Sequence, residues 1–86
     1  MKAAARVAWN VRRLRVRRGL SQEALAADSG VDRSYVGRLE RGLENPTIKV
    51  LERLTQVLDA DLVDLFRIPA RNEPSPRPLP SGRKRR

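Results

Sequence analysis

A glycine between two short runs of helix-forming residues is the feature that most constrains the fold of this chain. Residues 21–41 read SQEALAADSGVDRSYVGRLER. Ser21 can accept a hydrogen bond at a helix start, Gly30 can adopt the positive φ that ends a helix, and Asp32 can cap the next one. We therefore predict two helices joined by a turn of about three residues. Their predicted bounds are about 21–29 and about 32–41.

So short a turn forces the two helices to cross closely near their junction, and small or apolar side chains must fill that contact. Ala26 in the first helix meets this requirement, as do Val36 and Leu39 in the second. We predict that these three side chains form the internal seam of the helix pair.

The opposite face of the second helix is basic and rich in hydrogen-bonding groups. On a wheel of about 3.6 residues per turn, these residues share one side: Ser34, Arg33, Gly37, Arg38 and Arg41. An α-helix fits the major groove of DNA, where an arginine can bind two acceptors of one guanine. Gly37 costs about 1 kcal/mol in helix propensity relative to alanine, which a closely approaching groove wall would explain. This face has the chemistry of a base reader.

The residues in and around the helix pair resemble a known family. The matching residues are Gln22, Leu25, Ala26, Gly30, Val36 and Leu39, followed by Glu40-Arg41-Gly42 and Asn45-Pro46-Thr47. With the flanking stretches LRVRRGLSQ and ERGLENPT, they resemble the lambda-repressor-like (Cro/CI, or XRE) family of helix-turn-helix DNA-binding domains. The match covers residues 6–66. It implies an all-α, compact five-helix lambda-repressor-like domain.

The resemblance also implies which side chains bind DNA. The base-reading positions of the family are occupied by Arg33, Ser34 and Arg38. Contacts to the phosphate backbone would come from Gln22, Tyr35, Arg41, Asn45 and Lys49. Alternatives stay open for three of these residues: packing at the domain edge for Tyr35, satisfaction of the helix start for Ser34, and simple solvation for Arg41.

A further implied contact is structural. In the family, an arginine on helix 1 pairs with the glutamate that closes the recognition helix, and Arg15 and Glu40 fill the matching positions. The resemblance implies that this pair orients helix 1 against helix 3. Removing one partner of a partly buried pair costs more than removing one partner of an exposed pair.

The remaining helices follow from apolar spacing. Helix 1 is predicted over residues 3–18, with Ala4, Val7, Val11 and Leu14 in the core and Gly19 at its end. Thr47 would cap helix 4, which runs to about Leu58 and buries Ile48, Leu51, Leu54 and either Val57 or Leu58. Asp61 would cap a short fifth helix with Leu62, Leu65 and Phe66. Trp9 and Val16 lie off the core stripe, so they meet either a later segment or a dimer partner.

The composition of the chain excludes several classes of function. Eighty-six residues make one domain, so we exclude a multi-domain enzyme. The chain has no long apolar run and no signal peptide, and we expect it to be soluble and cytoplasmic, associated with the nucleoid. Because the chain contains no Cys and no His, we expect no disulfide, metal or cofactor and no enzyme activity. The carboxylates of Asp59, Asp61 and Asp64 are better explained by helix capping than by acid–base chemistry.

The net charge of +9 is unevenly distributed. Residues 1–66 hold 12 basic and 9 acidic groups, whereas residues 67–86 hold 7 and 1. Five of the six prolines follow Ile68. We therefore predict a helix-turn-helix DNA-binding domain over residues 1–68 and a disordered, basic, Pro-rich tail over residues 69–86.

The leading hypothesis is a sequence-specific duplex-DNA-binding transcriptional regulator, a homodimeric repressor that reads a near-palindromic operator through the major groove. Its dimer contact would use apolar residues near the end of the domain: Leu62, Val63, Phe66 and Ile68. The alternative is an antitoxin or coactivator-type module that binds a protein partner through the same fold. That role needs a second docking surface, for which Trp9, Val16 and the tail are the candidates.

Overall fold

The computed structural model describes residues 1–70, 72–74 and 76, and every regular element in that part of the chain is helical. The bounds are Ala3–Arg17 for α1, Gln22–Ser29 for α2, Arg33–Glu40 for α3, Ile48–Leu58 for α4 and Leu62–Phe66 for a final 3-10 turn. The predicted all-α class is confirmed, and α2 and α3 begin and end within one residue of their predicted bounds. Among the described residues, none of the helices has the length and hydrophobicity needed to cross a bilayer.

The prediction of a fifth α-helix is wrong, because the segment after Asp61 forms a single 3-10 turn. The backbone N–H of Asp64 donates to the carbonyl of Asp61 at 2.9 Å, the spacing typical of a 3-10 helix. The Asp64 carboxylate in turn accepts from the backbone N–H of Asp61 at 2.9 Å. Arg67 then takes an extended conformation, with φ −63° and ψ 135°, which ends the turn before an α-helix can develop.

Local side-chain chemistry fixes most of the helix ends. The Ser21 hydroxyl accepts from a first-turn N–H of α2 at 3.0 Å, and the Thr47 hydroxyl does the same for α4 at 3.1 Å. Gly30 ends α2 with φ 74°, as predicted. Asp32 occupies the N-cap position of α3, but its side chain caps no helix N–H. That prediction is wrong because the Asp32 carboxylate accepts from the Ser34 hydroxyl at 3.2 Å instead.

One apolar core unites the helices. Helix α1 packs against α3 and the 3-10 turn, while α2 packs against α3 and α4. The predicted seam is confirmed, since Ala26, Val36 and Leu39 are at most 3% exposed. The other members of the core are Val7, Val11, Leu14, Leu25, Leu51, Leu54, Leu58 and Leu65. Val36 and Leu39 thus hold one side of α3 against the core, which leaves its other side outward.

The predicted core stripe of α4 needs one correction. Ile48 is 59% exposed, whereas Leu51, Leu54 and Leu58 are buried and Val57 is only partly buried. At about 100° per residue, Ile48 lies roughly 70° from the centre of the buried stripe. It also occupies the first turn of the helix, so solvent reaches it from the end as well as from the side.

Three other predicted core positions are less buried than the spacing suggested. Ala4, near the start of α1, is only partly buried. In the 3-10 turn, Leu65 is fully buried, Leu62 is partly buried and Phe66 is 37% exposed. Phe66 is not in the core because the tighter 3-10 winding turns successive side chains by a larger angle than an α-helix does.

A buried amide attaches the 3-10 turn to α1. Asn10 is 0% exposed, and its Nδ2 donates to the carbonyls of Leu65 at 3.0 Å and Arg67 at 2.8 Å. The carbonyl of Arg6 also lies 2.9 Å from Nδ2, so the two N–H groups are shared among three carbonyls. The Oδ1 atom accepts from the Arg13 guanidinium at 3.3 Å. Sequence reasoning gave Asn10 no role, yet it joins the two ends of the folded region.

Trp9 also contacts the end of the fold. The guanidinium carbons of Arg13 and Arg67 lie 5.7 and 5.4 Å from the centroid of the Trp9 ring, within the range of a cation–π interaction. Of the two alternatives for Trp9, contact with a later segment is the one that the structure shows. Val16 is partly buried.

The predicted tail falls mostly outside the described residues, which leave out 71, 75 and 77–86. At its described beginning, the backbone N–H of Glu73 donates to the carbonyl of Ala70 at 3.0 Å. The Glu73 carboxylate accepts from the N–H of Ala70 at 3.0 Å and from Arg67 at 2.9 Å. The hydrogen bond from Arg67 lowers the pKa of the Glu73 carboxyl.

Candidate nucleic-acid interface

Helix α3 presents the three residues expected to read bases on its outward side. Arg33, Ser34 and Arg38 are all exposed, while Val36 and Leu39 on the same helix are buried. The two arginine side chains are 52% and 46% exposed. The core contacts that bury one side of α3 thereby place two guanidinium groups and a hydroxyl on the other side. That row has the width and donor chemistry suited to a DNA groove.

Arg33 lies across the surface of α3 rather than straight outward. Its Nε is 3.4 Å from the Glu23 carboxylate on α2. A Cβ at Gly37 would lie 3.3 Å from Nη1 of Arg33 and 3.8 Å from Oε1 of Gln22. The missing side chain at Gly37 therefore gives the Arg33 guanidinium room to cross the helix. This contact within the protein accounts for the glycine without a groove wall.

Arg38 is held from the other end of the helix. Its Nε donates to Oε2 of Glu44 at 2.6 Å, a short, charge-assisted hydrogen bond. Glu44 lies in the loop that connects α3 to α4. The contact depends on the turn after α3, in which Gly42 has φ 74°. Both arginines expected to read bases thus have an acidic partner, and the sequence analysis predicted neither Glu23 nor Glu44 as that partner.

Tyr35 lies between the outward side of α3 and the core. It is half-buried and packs against the core cluster, which agrees with the alternative of packing at the domain edge. Burial raises the pKa of the Tyr35 hydroxyl. The nearby Glu44 carboxylate raises this pKa further, while Arg38 lowers it. Tyr35, Arg38 and Glu44 therefore form one electrostatic cluster on α3 and the loop that follows it.

The expected pair of Arg15 and Glu40 is present and buried. Nε and Nη2 of Arg15 lie 2.6 and 2.9 Å from the two carboxylate oxygens of Glu40, and the side chains are 4% and 1% exposed. Nη1 of Arg15 donates to the carbonyl of Leu20 at 2.8 Å. Arg12 adds a further ion pair with Glu40 at 3.5 Å. The end of α3 is therefore anchored to α1 through charge-assisted bonds.

Gln22, the residue expected to hold a phosphate, stands at the first position of α2 and points toward this pair. Its Nε2 donates to Oε1 of Glu40 at 3.1 Å. Because the amide has a second N–H, the same side chain can donate outward as well. The N-terminus of α2 also offers backbone N–H groups, which favour an anion such as a phosphate.

The other expected backbone contacts follow α3 in the chain. Arg41 directly follows α3, Asn45 lies in the connecting loop and Lys49 lies in the first turn of α4, and all three are exposed. Arg41 also borders a shallow groove of about 260 Å³ between the start of α1 and the end of α3. Arg41, Asn45 and Lys49 extend the polar surface along the chain that follows α3, whereas Gln22 adds to it from α2.

Sequence reasoning missed the acidic partners because no fixed helical spacing relates them to their arginines. Glu23 precedes Arg33 across the turn between α2 and α3, and Glu44 follows Arg38 through a turn at Gly42. The one available signal was Gly42, since a glycine directly after a helix end marks a chain reversal. Such a reversal returns the following residues to the helix they have just left.

Comparison with known proteins agrees with this geometry. A family model described as "Helix-turn-helix" matches residues 11–65. An uncharacterised HTH-type transcriptional regulator, y4dJ of Sinorhizobium fredii, is 44% identical over 59 residues, which are 69% of this chain and 77% of that protein. The HTH-type transcriptional regulator SlrR of Bacillus subtilis is 39% identical over 57 residues. That match covers 65% of this chain but only 38% of the length of SlrR.

A solved structure gives the same result for the fold. The restriction-modification controller protein C.AhdI from Aeromonas hydrophila superposes with a TM-score of 0.71 and 43% identity. The superposition covers 73% of this chain and 96% of C.AhdI. The chain therefore belongs to the XRE-type helix-turn-helix family of DNA-binding transcriptional regulators, as the resemblance in its sequence indicated.

Proposed function

We propose that this protein is a sequence-specific regulator of transcription that binds duplex DNA as a homodimer and represses by occupying a near-palindromic operator. The observation that carries the proposal is the outward row of Arg33, Ser34 and Arg38 on a helix whose other side is locked into the core. A rigid helix with basic, hydrogen-bonding side chains suits the major groove, where base edges differ most.

The proposed contacts divide into two kinds. Arg33, Ser34 and Arg38 read base edges, and a well-placed arginine discriminates against a wrong base by about 1–3 kcal/mol. Contacts to phosphates fix the position of the helix in the groove but carry no sequence information. The proposed phosphate contacts are Gln22, Tyr35, Arg41, Asn45 and Lys49.

Three exposed apolar side chains support a homodimer. Val63 is 71% exposed, Ile68 is 66% exposed and Phe66 is 37% exposed, and they lie within six residues of one another at the end of the folded region. Leu62 packs against the core and so contributes less to an external contact. We propose that Val63, Phe66 and Ile68 form a self-complementary contact. A dimeric DNA site requires two copies of α3 about 34 Å apart, one helical turn of DNA.

Repression is the mode of regulation expected of a protein that acts only by occupying its DNA site. A bound dimer at a promoter excludes other proteins from the same groove without needing a catalytic group. The proposal also places the protein in the cytoplasm with the nucleoid, where its DNA target lies. A promoter fusion assayed with and without the protein tests the sign of regulation, and we expect expression to fall. A rise in expression would contradict repression but not DNA binding.

Selection of bound duplexes from a random-sequence library tests the specificity. We expect an enriched near-palindrome with half-sites about 10 base pairs apart. Affinity for the selected site should fall steeply with salt concentration, because bound arginines and lysines release counterions from DNA. A library with no enriched sequence would refute sequence-specific binding.

Sedimentation of the protein on its selected site tests the dimer. We expect two chains per duplex, and we expect Val63→Glu to weaken binding to the full site while leaving the fold intact, since Val63 is 71% exposed. The matched control is Gln56→Glu, which adds the same charge at an exposed position of α4 outside both the proposed contact and the proposed DNA-binding surface. One chain on a site without a repeat would contradict the homodimer.

A further inference from the structure

The contact between Arg38 and Glu44 is short, and one of its two side chains is largely buried. The Glu44 side chain is 22% exposed, and its Oε2 lies 2.6 Å from Nε of Arg38, which is 46% exposed. This pair is shorter than the pairs Arg18–Asp59, Arg33–Glu23 and Arg67–Glu73, which measure 3.9, 3.4 and 2.9 Å. A surface ion pair is usually loose because two long side chains must be ordered at once. Here the backbone has already placed one of the partners.

The turn after α3 returns the chain to Arg38. The N–H of Gly42 donates to the carbonyl of Leu39 at 3.0 Å, and the N–H of Leu43 donates to the carbonyl of Arg38 at 3.0 Å. With φ 74° at Gly42, these two bonds form a Schellman motif, a rigid way to end a helix. Glu44 directly follows this motif, so its position relative to Arg38 is set by backbone hydrogen bonds.

The hydrogen bond uses the one atom of Arg38 that base reading can spare. A guanidinium carries five N–H groups in a fixed plane, and the bond to Glu44 engages the single N–H of Nε. The two terminal nitrogens keep the parallel N–H groups that can bind a guanine through two acceptors. Fixing Nε also fixes the plane of those terminal groups. An arginine without this support loses more rotamer freedom when it binds.

The carboxylate also brings a negative charge to the DNA-facing surface. Phosphates attract the protein wherever it sits on DNA, and that attraction is independent of sequence. A fixed carboxylate beside Arg38 weakens the general attraction. When the correct base pair is present, the bidentate contact of Arg38 compensates for this loss. When a wrong base pair is present, nothing compensates, and selectivity rises in the manner of a repulsive element against competing partners.

We propose that Glu44 is a specificity-determining positioning residue, which holds Arg38 in the plane needed to read one base pair and disfavours DNA that lacks that pair. This inference rests on the proposed function, in which Arg38 reads a base. Glu44 itself touches no base, so it acts through Arg38.

The test compares base-preference profiles, obtained by library selection, for the unmodified protein and for Glu44→Ala, Glu44→Gln and Arg38→Ala. Affinities for the selected site and for random duplex are measured alongside. We expect Arg38→Ala and Glu44→Ala to flatten the same base position in each half-site. Glu44→Ala should lower the ratio of selected-site to random affinity by at least about fivefold, the lower end for losing one bidentate contact. Its affinity for random DNA should increase.

Two further variants separate orientation from charge. The amide oxygen of Glu44→Gln can still accept from Nε of Arg38, so this variant should keep the base preference while its affinity for random DNA rises. Asp59→Asn removes one negative charge at the far end of α4, where the Asp59 side chain is 88% exposed and φ is 54°, a conformation that asparagine tolerates. We expect this control to leave both the preference and the affinity ratio nearly unchanged.

Each failure has a distinct meaning. If Glu44→Ala keeps a preference that Arg38→Ala loses, Glu44 does not position Arg38 and this inference is overturned while the proposed function stands. If Arg38→Ala leaves every position unchanged, Arg38 reads no base and both the inference and that part of the proposed function are lost. If Asp59→Asn changes the ratio as much as Glu44→Ala does, the effect is one of net charge and the inference is again overturned.

Discussion

The Glu40 carboxylate accepts both of its shortest hydrogen bonds from one guanidinium, that of Arg15, at 2.6 and 2.9 Å. Because Arg15 belongs to α1 and Glu40 is the last residue of α3, this pair fixes the angle between the two helices. Gln22 adds a third bond to the same carboxylate at 3.1 Å. The orientation of the recognition helix thus depends on a buried charge cluster as well as on apolar packing.

Removing either member of this pair should destabilise the protein, but by different amounts. Glu40→Ala leaves the Arg15 guanidinium buried without its carboxylate, and breaking such a pair costs about 3–5 kcal/mol. Arg15→Ala leaves Glu40 with Gln22 and Arg12 still in reach, at 3.1 and 3.5 Å. We expect this variant to lose about 1.5–3 kcal/mol, the contribution of hydrogen bonds to a charged group.

Urea unfolding followed by circular dichroism measures the two free energies. A domain of this size has only about 5–10 kcal/mol of stability, so Glu40→Ala should lose about half of it and unfold at a much lower urea concentration. Replacing the exposed Glu52 by alanine is the matched control and should change stability by less than about 0.5 kcal/mol. Equal losses for the two cluster variants would show that Arg12 and Gln22 do not compensate.

Replacing Asn10 should destabilise the C-terminal end of the folded region. Asn10→Ala leaves the carbonyls of Leu65 and Arg67 without their donor, and an unpaired buried polar group costs about 1–3 kcal/mol. We expect a loss of about 2–3 kcal/mol and faster hydrogen exchange in the 3-10 turn than in α2. The exposed Asn45→Ala serves as the control for stability. Unchanged exchange in the turn would mean that apolar packing of Leu65 suffices.

The sequence predicted those parts of the fold that depend on near neighbours. Ser21, Thr47 and Gly30 act within one turn of their own positions, so their chemistry could be interpreted without knowing the tertiary structure. The predictions were wrong at positions where other features of the structure, such as a competing hydrogen bond, determine where the side chain lies. Ser34 donates to the Asp32 carboxylate that would otherwise cap α3, and the position of Ile48 at a helix start exposes a side chain that spacing alone would bury.

The site was predictable as a surface but not as a set of contacts. Which residues share the outward side of α3 follows from helical geometry. The partners Glu23 and Glu44 come from other segments, and Asn10 meets carbonyls 55 and 57 residues later in the chain. Contacts over such separations depend on how the helices pack, which residue spacing does not specify. The pairing of Arg15 with Glu40 was available only through the resemblance to a family.

Gly37 should reveal a conflict between stability and function. Gly37→Ala removes a glycine from a helix interior, which favours the helix by about 0.5–1 kcal/mol. The new Cβ would lie 3.3 Å from Nη1 of Arg33, so the flexible Arg33 side chain must shift by a few tenths of an ångström. We expect thermal unfolding at a higher temperature and weaker binding to the selected site. Greater stability with unchanged binding would show that the position of Arg33 is unimportant.

The pKa of Tyr35, the only tyrosine in the chain, gives a spectroscopic measure of the cluster beside Arg38. Burial and the Glu44 carboxylate raise this pKa above its ordinary value of 10.0. A folded pKa above the unfolded one contributes stability that is complete below pH 10 and is lost as pH rises through the folded pKa. We expect phenolate absorbance to develop at higher pH in the folded protein than in urea.

Glu44→Gln provides the control for that titration. With the carboxylate gone and Arg38 still present, the Tyr35 pKa should move back toward its ordinary value. Asp59→Asn should leave the titration unchanged. A tyrosine that titrates at the same pH in the folded and unfolded protein would contradict the described environment of Tyr35.

The most direct test of the central claim, that the outward side of α3 reads bases, is the effect of Arg38→Ala on two DNA affinities measured at one salt concentration. On the selected site we expect a loss of about 1–3 kcal/mol, and on random duplex only a small change, because a base-reading side chain contributes little where its base pair is absent. Arg17→Ala, a change at an exposed arginine of α1 outside the proposed surface, should leave the ratio of affinities unaltered. Equal weakening of Arg38→Ala on selected and random DNA would show that Arg38 contacts only phosphate, and the claim would fail.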